Sequence, residues 1–258
     1  MNPIAAFFSA NARRVFMRNF LAWQKYALSS MAINIIDGFV YFLAIGFGLG
    51  AYVTLTGHGS LVQFIAPGML ALTAMNTATF DSCWGCFERL NSNGVYESMV
   101  TAPVAPTEIA AGEYLWQAFR ASLYCSLFLI AVAAFGLAHS WWVIVSPLVF
   151  ALTGIAFAIP GLAVAFLMST QEQLFFYFSF VVTPGIMIGG VFFPLDRLPA
   201  WVQDVAWCTP LWHAVDACRI LLNGAPTAAF FVDVAWLIAF TGAFAFVPLG
   251  LLRRKLGN

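Results

Sequence analysis

Long apolar runs separated by short polar segments dominate this chain. A helix needs about 20 mostly apolar residues to cross a hydrocarbon core of about 30 Å, and each run approaches or exceeds that length. The sequence therefore predicts an all-α integral membrane protein with six transmembrane helices, forming one domain over residues 1–258. The predicted spans are 28–50, 61–86, 114–138, 142–168, 173–190 and 229–251.

The segment 191–226, between the fifth and sixth predicted spans, has a different pattern. Prolines and aspartates interrupt its apolar pieces, so it is too broken to span a membrane. Short helices are predicted near 200–208 and 211–222, separated by a turn at Pro210. Such a pair enters one leaflet and returns, which makes the segment an external re-entrant helical hairpin.

The composition makes lipid the expected solvent. Hydrophobic residues are 62% of the chain and charged residues 9%, more apolar surface than a water-soluble domain can bury. Eleven basic residues balance eleven acidic ones, so no overall field attracts nucleic acid. The odd number of cysteines, five, argues against a disulfide framework, although a bond between Cys208 and Cys218 in the external segment stays open.

Orientation follows from the basic residues. Nine of the eleven flank the first, second and sixth predicted spans on one side, which the positive-inside rule makes cytoplasmic. Six spans then place both termini in the cytoplasm of a bacterial cell, with the chain as a multi-pass protein of the inner membrane. The loop 87–113 is cytoplasmic and the segment 191–226 is external.

Residues 11–26 precede the first span and are predicted to form an interfacial helix. Apolar residues recur at helical spacing from Ala12 to Trp23, and basic side chains lie off that line, as in a helix at the cytoplasmic membrane surface. Alternatively, the basic residues are only flanking charges that set orientation. They are Arg13, Arg14, Arg18 and Lys25.

No catalytic or metal-binding pattern is found. Neither lysine follows the glycine pattern that binds phosphates, so the chain is not expected to bind ATP in that way. The histidines His58, His139 and His213 are scattered at predicted outer boundaries. Cys83 and Cys86 have redox spacing but no second ligand pair, and are interpreted as packing residues. An enzyme is the least favoured class.

Polar residues inside the first two spans are the candidate functional residues. An unpaired charge in the bilayer is costly, so these groups need partners or a wet cavity. Two hypotheses stay open, hydrogen bonding between helices and lining of a substrate path. The residues are Asn34, Asp37, Thr73, Asn76, Thr77 and Asp81. Separately, Asp216 and Arg219 are three apart and are predicted to pair with each other.

The loop 87–113 is the one substantial cytoplasmic segment between predicted spans. A short helix is predicted at 96–101, ended by Pro103, with a second helix starting near Pro106. A short helix parallel to the membrane and joined to two spans suits the transmission of movement from a soluble partner.

Five stretches of this chain resemble the ABC-2 type permeases, and among them the nodulation-factor exporter permeases that work with a separate ATPase in lipo-chitooligosaccharide export. The last stretch is the most specific, and the resemblance covers nearly the whole chain. The stretches are RNFLAWQK at 18–25, NIIDGFVYFLAIGFGLG at 34–50, APGMLALTAMNTATFD at 66–81, YESMVTAPV at 96–104 and GGVFFPLDRLP at 189–199.

The resemblance implies roles for particular segments. The 96–101 helix would be the coupling helix that docks on the ATPase, with Glu97 at the family's acidic position, and residues 11–26 would be a gate helix. Two permease copies would form the pathway, and the partner ATPase would supply ATP and Mg, with no cofactor in this chain. The coupling residues are Tyr96, Glu97, Ser98, Met99, Val100 and Thr101.

The expected function is therefore the permease subunit of an ATP-binding-cassette exporter. Its cargo would be an amphipathic lipid-linked oligosaccharide, a glycolipid or a hydrophobic drug-like molecule. One alternative is an ion-driven secondary transporter using Asp37 or Asp81, although no inverted repeat is found. Another is a membrane scaffold without transport.

Overall fold

The computed structural model describes residues 9–50, 52, 60–92, 94–102 and 104–256, and these residues form helices and connecting loops without a strand. His58 and Pro103, a predicted boundary residue and a predicted helix end, lie outside them. The α-helices are α1 Ala10–Gln24, α2 Ala27–Tyr41, α3 Leu61–Phe80, α4 Val95–Thr101, α5 Pro106–Ala134, α6 Ser146–Leu167, α7 Gln171–Tyr177, α8 Thr183–Ile188, α9 Ala200–Trp207, α10 Pro210–Asn223, α11 Ala228–Phe244 and α12 Phe246–Leu256.

Shorter helical segments join several of these. The π-helical Phe42–Leu49 extends α2, Asp81–Gly85 and Glu88–Ser92 extend α3, and Phe178–Val182 joins α7 to α8. A 3₁₀ turn at Trp141–Val145 precedes α6 and another at Leu195–Arg197 precedes α9.

Within the described residues, five continuous helices are long and apolar enough to cross a membrane. They correspond to the first four and the last of the predicted spans. The predicted span 173–190 is helical over 171–188 but is not one of the five. The first turn of that helix is polar, because it begins with Gln171, Glu172 and Gln173. The five are Ala27–Leu49, Leu61–Asn91, Pro106–Ala134, Trp141–Leu167 and Ala228–Leu256.

The segment from α7 to α8 runs antiparallel to α3. The ring of Phe175 lies 5.1 Å from that of Trp84, and the ring of Phe178 lies 4.6 Å from it. Sixteen residues after Phe175, the backbone of Val191 lies against Gly68 of α3. A Cβ atom added to Gly68 would lie 2.7 Å from the Val191 carbonyl oxygen. The two contacts lie sixteen residues apart on the continuous helix Leu61–Asn91, at Gly68 and Trp84, and sixteen helical residues at 1.5 Å each extend about 24 Å.

Helix α3 is the centre of the bundle. It packs against α5, α6 and α10, and 83% of its most apolar stretch is buried, compared with 11% for the helix Ala27–Leu49. Close helix contacts depend on small residues. A Cβ atom at Gly154 of α6 would lie 2.7 Å from the Cβ atom of Ala121 on α5, so these two helices touch at that point.

Helix α1 forms where the sequence predicts a helix over 11–26. Ser9 caps it, because its hydroxyl accepts from the backbone N–H of Ala12. Its buried stripe packs on α5, and a Cβ atom at Gly112 would lie 2.6 Å from the Cβ atom of Val15. The ring of Trp23 lies 6.0 Å from that of Trp116. The helix is therefore attached to a membrane-spanning helix along its apolar face.

The segment before the last span contains two helices, α9 and α10, at the predicted positions. Thr209 caps α10, with Pro210 in its first turn. His213 is fully buried, and its Nδ1 lies 2.7 Å from Oδ1 of Asp233, which fastens α10 to α11. All five cysteines are free thiols; Cys208 is exposed and Cys218 buried, so the bond left open between them is not formed.

Candidate functional site

A buried ion network joins the far end of the α3 helix to α5. Arg120 Nη1 lies 2.7 Å from Asp81 Oδ1, and Arg89 Nη2 lies 2.9 Å from Glu113 Oε2 and 3.4 Å from Asp81 Oδ2. No side chain of the four is more than 15% exposed. Two carboxylates thus balance two guanidinium groups, as buried charges require.

Further side chains complete the surroundings of Asp81. Gln117 Nε2 and Trp116 Nε1 both donate to Asp81 Oδ2, the indole over 3.1 Å. The guanidinium of Arg120 lies 5.2 Å from the centre of the Tyr124 ring and 5.8 Å from that of Trp116, within the range of cation–π attraction. Since Trp116 also contacts α1, the network connects three helices.

Tyr96 connects this network to α4. Its hydroxyl donates to Glu113 Oε1 over 2.8 Å and accepts from Arg89 Nε over 3.3 Å. Burial raises the pKa of the Tyr96 phenol well above its usual range, so the group is a donor at neutral pH. Helix α4 begins after Gly94, whose φ of +56° suits glycine, and Tyr96 is its one fully buried side chain.

Most of the rest of α4 faces outward, while Val95 and Met99 pack partly against the core. Glu97, Val100 and Thr101 line a shallow cavity of about 280 Å³ together with Lys255 and Leu256 at the end of α12. The predicted coupling residues therefore divide into one anchor, Tyr96, and five outer residues. These five, Glu97, Ser98, Met99, Val100 and Thr101, are exposed or half-buried.

Most of the polar span residues surround a second cavity, of about 350 Å³, between α2, α3 and α8. Thr77 Oγ1 donates to Asn34 Oδ1 over 3.3 Å, which joins α2 to α3, while Asp37 and Asn76 are exposed. Asp81 lies apart from this group, in the ion network. The residues that line the cavity include Asn34, Asp37, Thr73 and Asn76.

Three of the four basic residues of the predicted gate helix lie on its outer side. Arg13, Arg14 and Lys25 are exposed, and the half-buried Arg18 donates to Asn19 Oδ1 over 2.9 Å. The charges of Arg13, Arg14 and Lys25 therefore face away from the helix bundle, whereas Arg18 lines a cavity with Asp81 and Arg89.

Sequence reasoning missed the network as a unit. It treated Arg89 and Arg120 as flanking charges and gave Glu113 no role. One signal was present, because Glu113, Gln117 and Arg120 recur at the spacing that places them on one face of a helix.

Long apolar helices with a paired ion network at one end and a polar cavity between two of them define a multi-pass membrane protein. The family model for the ABC-2 type transporter matches residues 10–223. The chain belongs to the ABC-2 type transporter family, which confirms the resemblance recognised in its motifs and makes it a permease and transport subunit of an ATP-binding-cassette exporter.

Relatives agree over nearly the full length. Nodulation protein J of Rhizobium leguminosarum bv. viciae is 35% identical, across 94% of this chain and 93% of that protein. Nodulation protein J of Rhizobium meliloti (strain 1021) is 34% identical, across 94% and 92%. The inner membrane transport permease YadH of Escherichia coli (strain K12) is 25% identical, across 91% of each.

Proposed function

We propose that this permease exports an amphipathic glycolipid or lipid-linked oligosaccharide, driven by a separate ATPase that binds ATP and Mg and docks on α4. The observation that carries the proposal is the contact of Tyr96 with Glu113 and Arg89, which links the outer helix to two membrane-spanning helices. The resemblance of its motifs to the nodulation-factor exporter permeases supports a saccharide-bearing cargo.

The network explains how movement of α4 would reach the membrane. Separating buried opposite charges costs several kcal/mol, on the order of 3–5 when a partner is removed. A displacement of Tyr96 is therefore shared by α3 and α5 rather than absorbed in the loop. Nucleotide-dependent movement of the ATPase would shift the population between two arrangements of these helices.

Six membrane crossings fit the packing better than five. The antiparallel contact of 175–191 with α3 supports a crossing of about 24 Å by the segment that begins with a polar turn. Lys255 Nζ also donates to the Met168 carbonyl over 3.4 Å. The residues just before that crossing and the last turn of α12 therefore lie at the same end of the helix bundle. With the basic residues, this favours cytoplasmic termini and an external α9–α10 hairpin that re-enters the membrane.

A second copy of the chain would complete the pathway. Asp37 and Asn76 are exposed within spans, at a position where contact with lipid would be costly. A homodimer that covers this face places both residues beside a shared interior. The 350 Å³ cavity would then open into the pathway rather than into lipid.

The ion-driven alternative is less well supported at Asp81; at Asp37, which is exposed, it is tested by transport under an ion gradient. A carboxylate that carries protons or ions must be able to lose its partner, and Asp81 is held by Arg120, Arg89, Gln117 and Trp116. Its surroundings suit a fixed structural charge.

The test uses the permease reconstituted with an ABC ATPase from the same cell that co-purifies with it. Glu97→Arg reverses a charge on the outer face of α4, and Glu172→Arg makes the same change at an exposed site in the first turn of α7. We expect Glu97→Arg to abolish ATP-driven glycolipid transport and the control to transport normally. Normal transport by Glu97→Arg would remove the docking assignment.

A further inference from the structure

A third cavity, of about 540 Å³, lies between the α9–α10 hairpin and the loop that follows α8. Its volume is in the range of sites for drug-sized ligands, about 300–1,000 Å³. Aromatic and charged side chains both line it. They include Phe193, Trp207, Trp212, Asp204, Asp216 and Arg219.

The loop between α8 and the hairpin separates this cavity from the one between the spans. Phe192 lines the span cavity and the next residue, Phe193, lines the hairpin cavity. The loop is held in place, because Arg219 Nη2 donates to the Gly190 carbonyl over 3.2 Å and Gly190 has a φ of +70°. A molecule that leaves the span cavity along this loop therefore arrives at the hairpin cavity.

The aromatic walls are fixed before any ligand binds. Trp207 is 48% exposed and Phe193 38%, so large ring surfaces stay uncovered. The rings of Trp207 and Trp212 lie edge-on to His213, at 5.3 and 4.9 Å. His213 is itself held by Asp233 and by the Trp207 backbone carbonyl. Pre-positioned rings lose little conformational entropy on binding.

The polar groups supply both donors and acceptors. The Arg219 guanidinium lies 4.4 Å from the centre of the Phe64 ring, and its Nη1 lies 3.9 Å from Asp216 Oδ1. Burial, and then the neighbouring Asp233, raises the pKa of Asp216, and its carboxyl oxygens are acceptors for a ligand hydroxyl. The carboxyl group of Asp204 is on the exposed side of the same cavity.

A pyranose sugar has the matching chemistry. Its ring presents an apolar C–H face, which suits the negative face of an aromatic ring, and hydroxyl groups that both donate and accept. An acyl chain would offer no hydrogen bonds to the half-buried Asp216 and Arg219. An organic cation would pair with the carboxylates of the cavity but would use none of the Arg219 donors, whereas sugar hydroxyls serve both. We propose that this cavity binds a neutral pyranose sugar on the hairpin side of the membrane.

This sugar site rests on the proposed function for the source of its ligand. The sugar is either the head group of the exported glycolipid or a free external glycan. Binding is measured by calorimetry on the full chain in phospholipid nanodiscs, because alkyl-maltoside detergents carry competing sugars. The probe is soluble chitotetraose, with tetraphenylphosphonium as the cationic comparison.

Trp207→Leu and Trp201→Leu form a matched pair on α9, since Trp201 is 68% exposed and lies outside the cavity lining. We expect saturable chitotetraose binding that Trp207→Leu weakens about tenfold or more and Trp201→Leu leaves unchanged. Asp204→Asn, which keeps the side-chain volume, should also weaken it and serves if Trp207→Leu does not fold. No binding by wild type, equal affinities in all variants, or preference for the cation would overturn the site.

Transport separates the two sources. If the ligand is the cargo head group, Trp207→Leu slows ATP-driven glycolipid export, and Trp201→Leu does not. If the ligand is a free glycan, chitotetraose binds but export by Trp207→Leu is normal. Chitotetraose binding by a wild-type complex that exports nothing would refute the proposed function and leave the sugar site standing.

Discussion

Tyr96→Phe removes one hydroxyl group and isolates the link between α4 and the membrane helices. The variant loses the 2.8 Å bond to Glu113 and the 3.3 Å bond from Arg89, while the Arg89–Glu113 pair at 2.9 Å stays. A hydrogen bond to a charged group contributes about 1.5–3 kcal/mol, so the loss of two such bonds should lower the free energy of unfolding by about 3–6 kcal/mol. Transport per folded molecule should also fall, because α4 then moves without the network. The loss of transport is therefore larger than the loss of folded protein alone explains.

The matched control is Tyr114→Phe. Tyr114 is also fully buried, and its hydroxyl donates to the Ala245 carbonyl over 2.9 Å, away from α4. We expect it to cost about 1 kcal/mol and to keep ATP-driven transport per folded molecule. Denaturant unfolding of each purified variant and glycolipid transport in vesicles give the two quantities. Normal transport by Tyr96→Phe, or equal losses in both variants, would refute the reasoning.

Three further substitutions test the packing. Gly112→Ala should displace α1 and lower the free energy of unfolding by about 1–3 kcal/mol, whereas Gly242→Ala, with open space around it, should be neutral in thermal unfolding. Gly68→Ala should push the loop after α8 away and reduce export, with Gly48→Ala as the harmless comparison; equal export would contradict this. Asp81→Asn should cost about 3–5 kcal/mol, seen as lower yield of folded protein, because Arg120 loses the carboxylate at 2.7 Å and Arg89 keeps only Glu113.

Much of the fold follows from the apolar runs and the breaks between them. Hydropathy locates five spans, helix α1 and both hairpin helices, because each depends on local periodicity or on a proline. The third span shows the limit of this reasoning. A helix was predicted to start near Pro106 and the span at residue 114, but the structure joins the two in one continuous helix, α5, in which Glu108 accepts from the Ala105 N–H over 2.8 Å.

The site was less predictable than the fold. Hydropathy treats Glu113 and Arg120 as unfavourable in a span, since it cannot register that Arg89 and Asp81 neutralise them. That pairing joins residues far apart in the sequence and exists only in the folded chain. Tyr96 was assigned to the coupling helix by resemblance, but its inward direction came from the structure.

The most direct test of the account is export by purified components in sealed vesicles. The permease is reconstituted with its ATPase, and the appearance of a labelled glycolipid on the far side is measured with ATP, without ATP, and without the ATPase. We expect transport only when ATP and the ATPase are both present. Equal transport by the permease alone, or transport driven by an ion gradient in its place, would contradict the account.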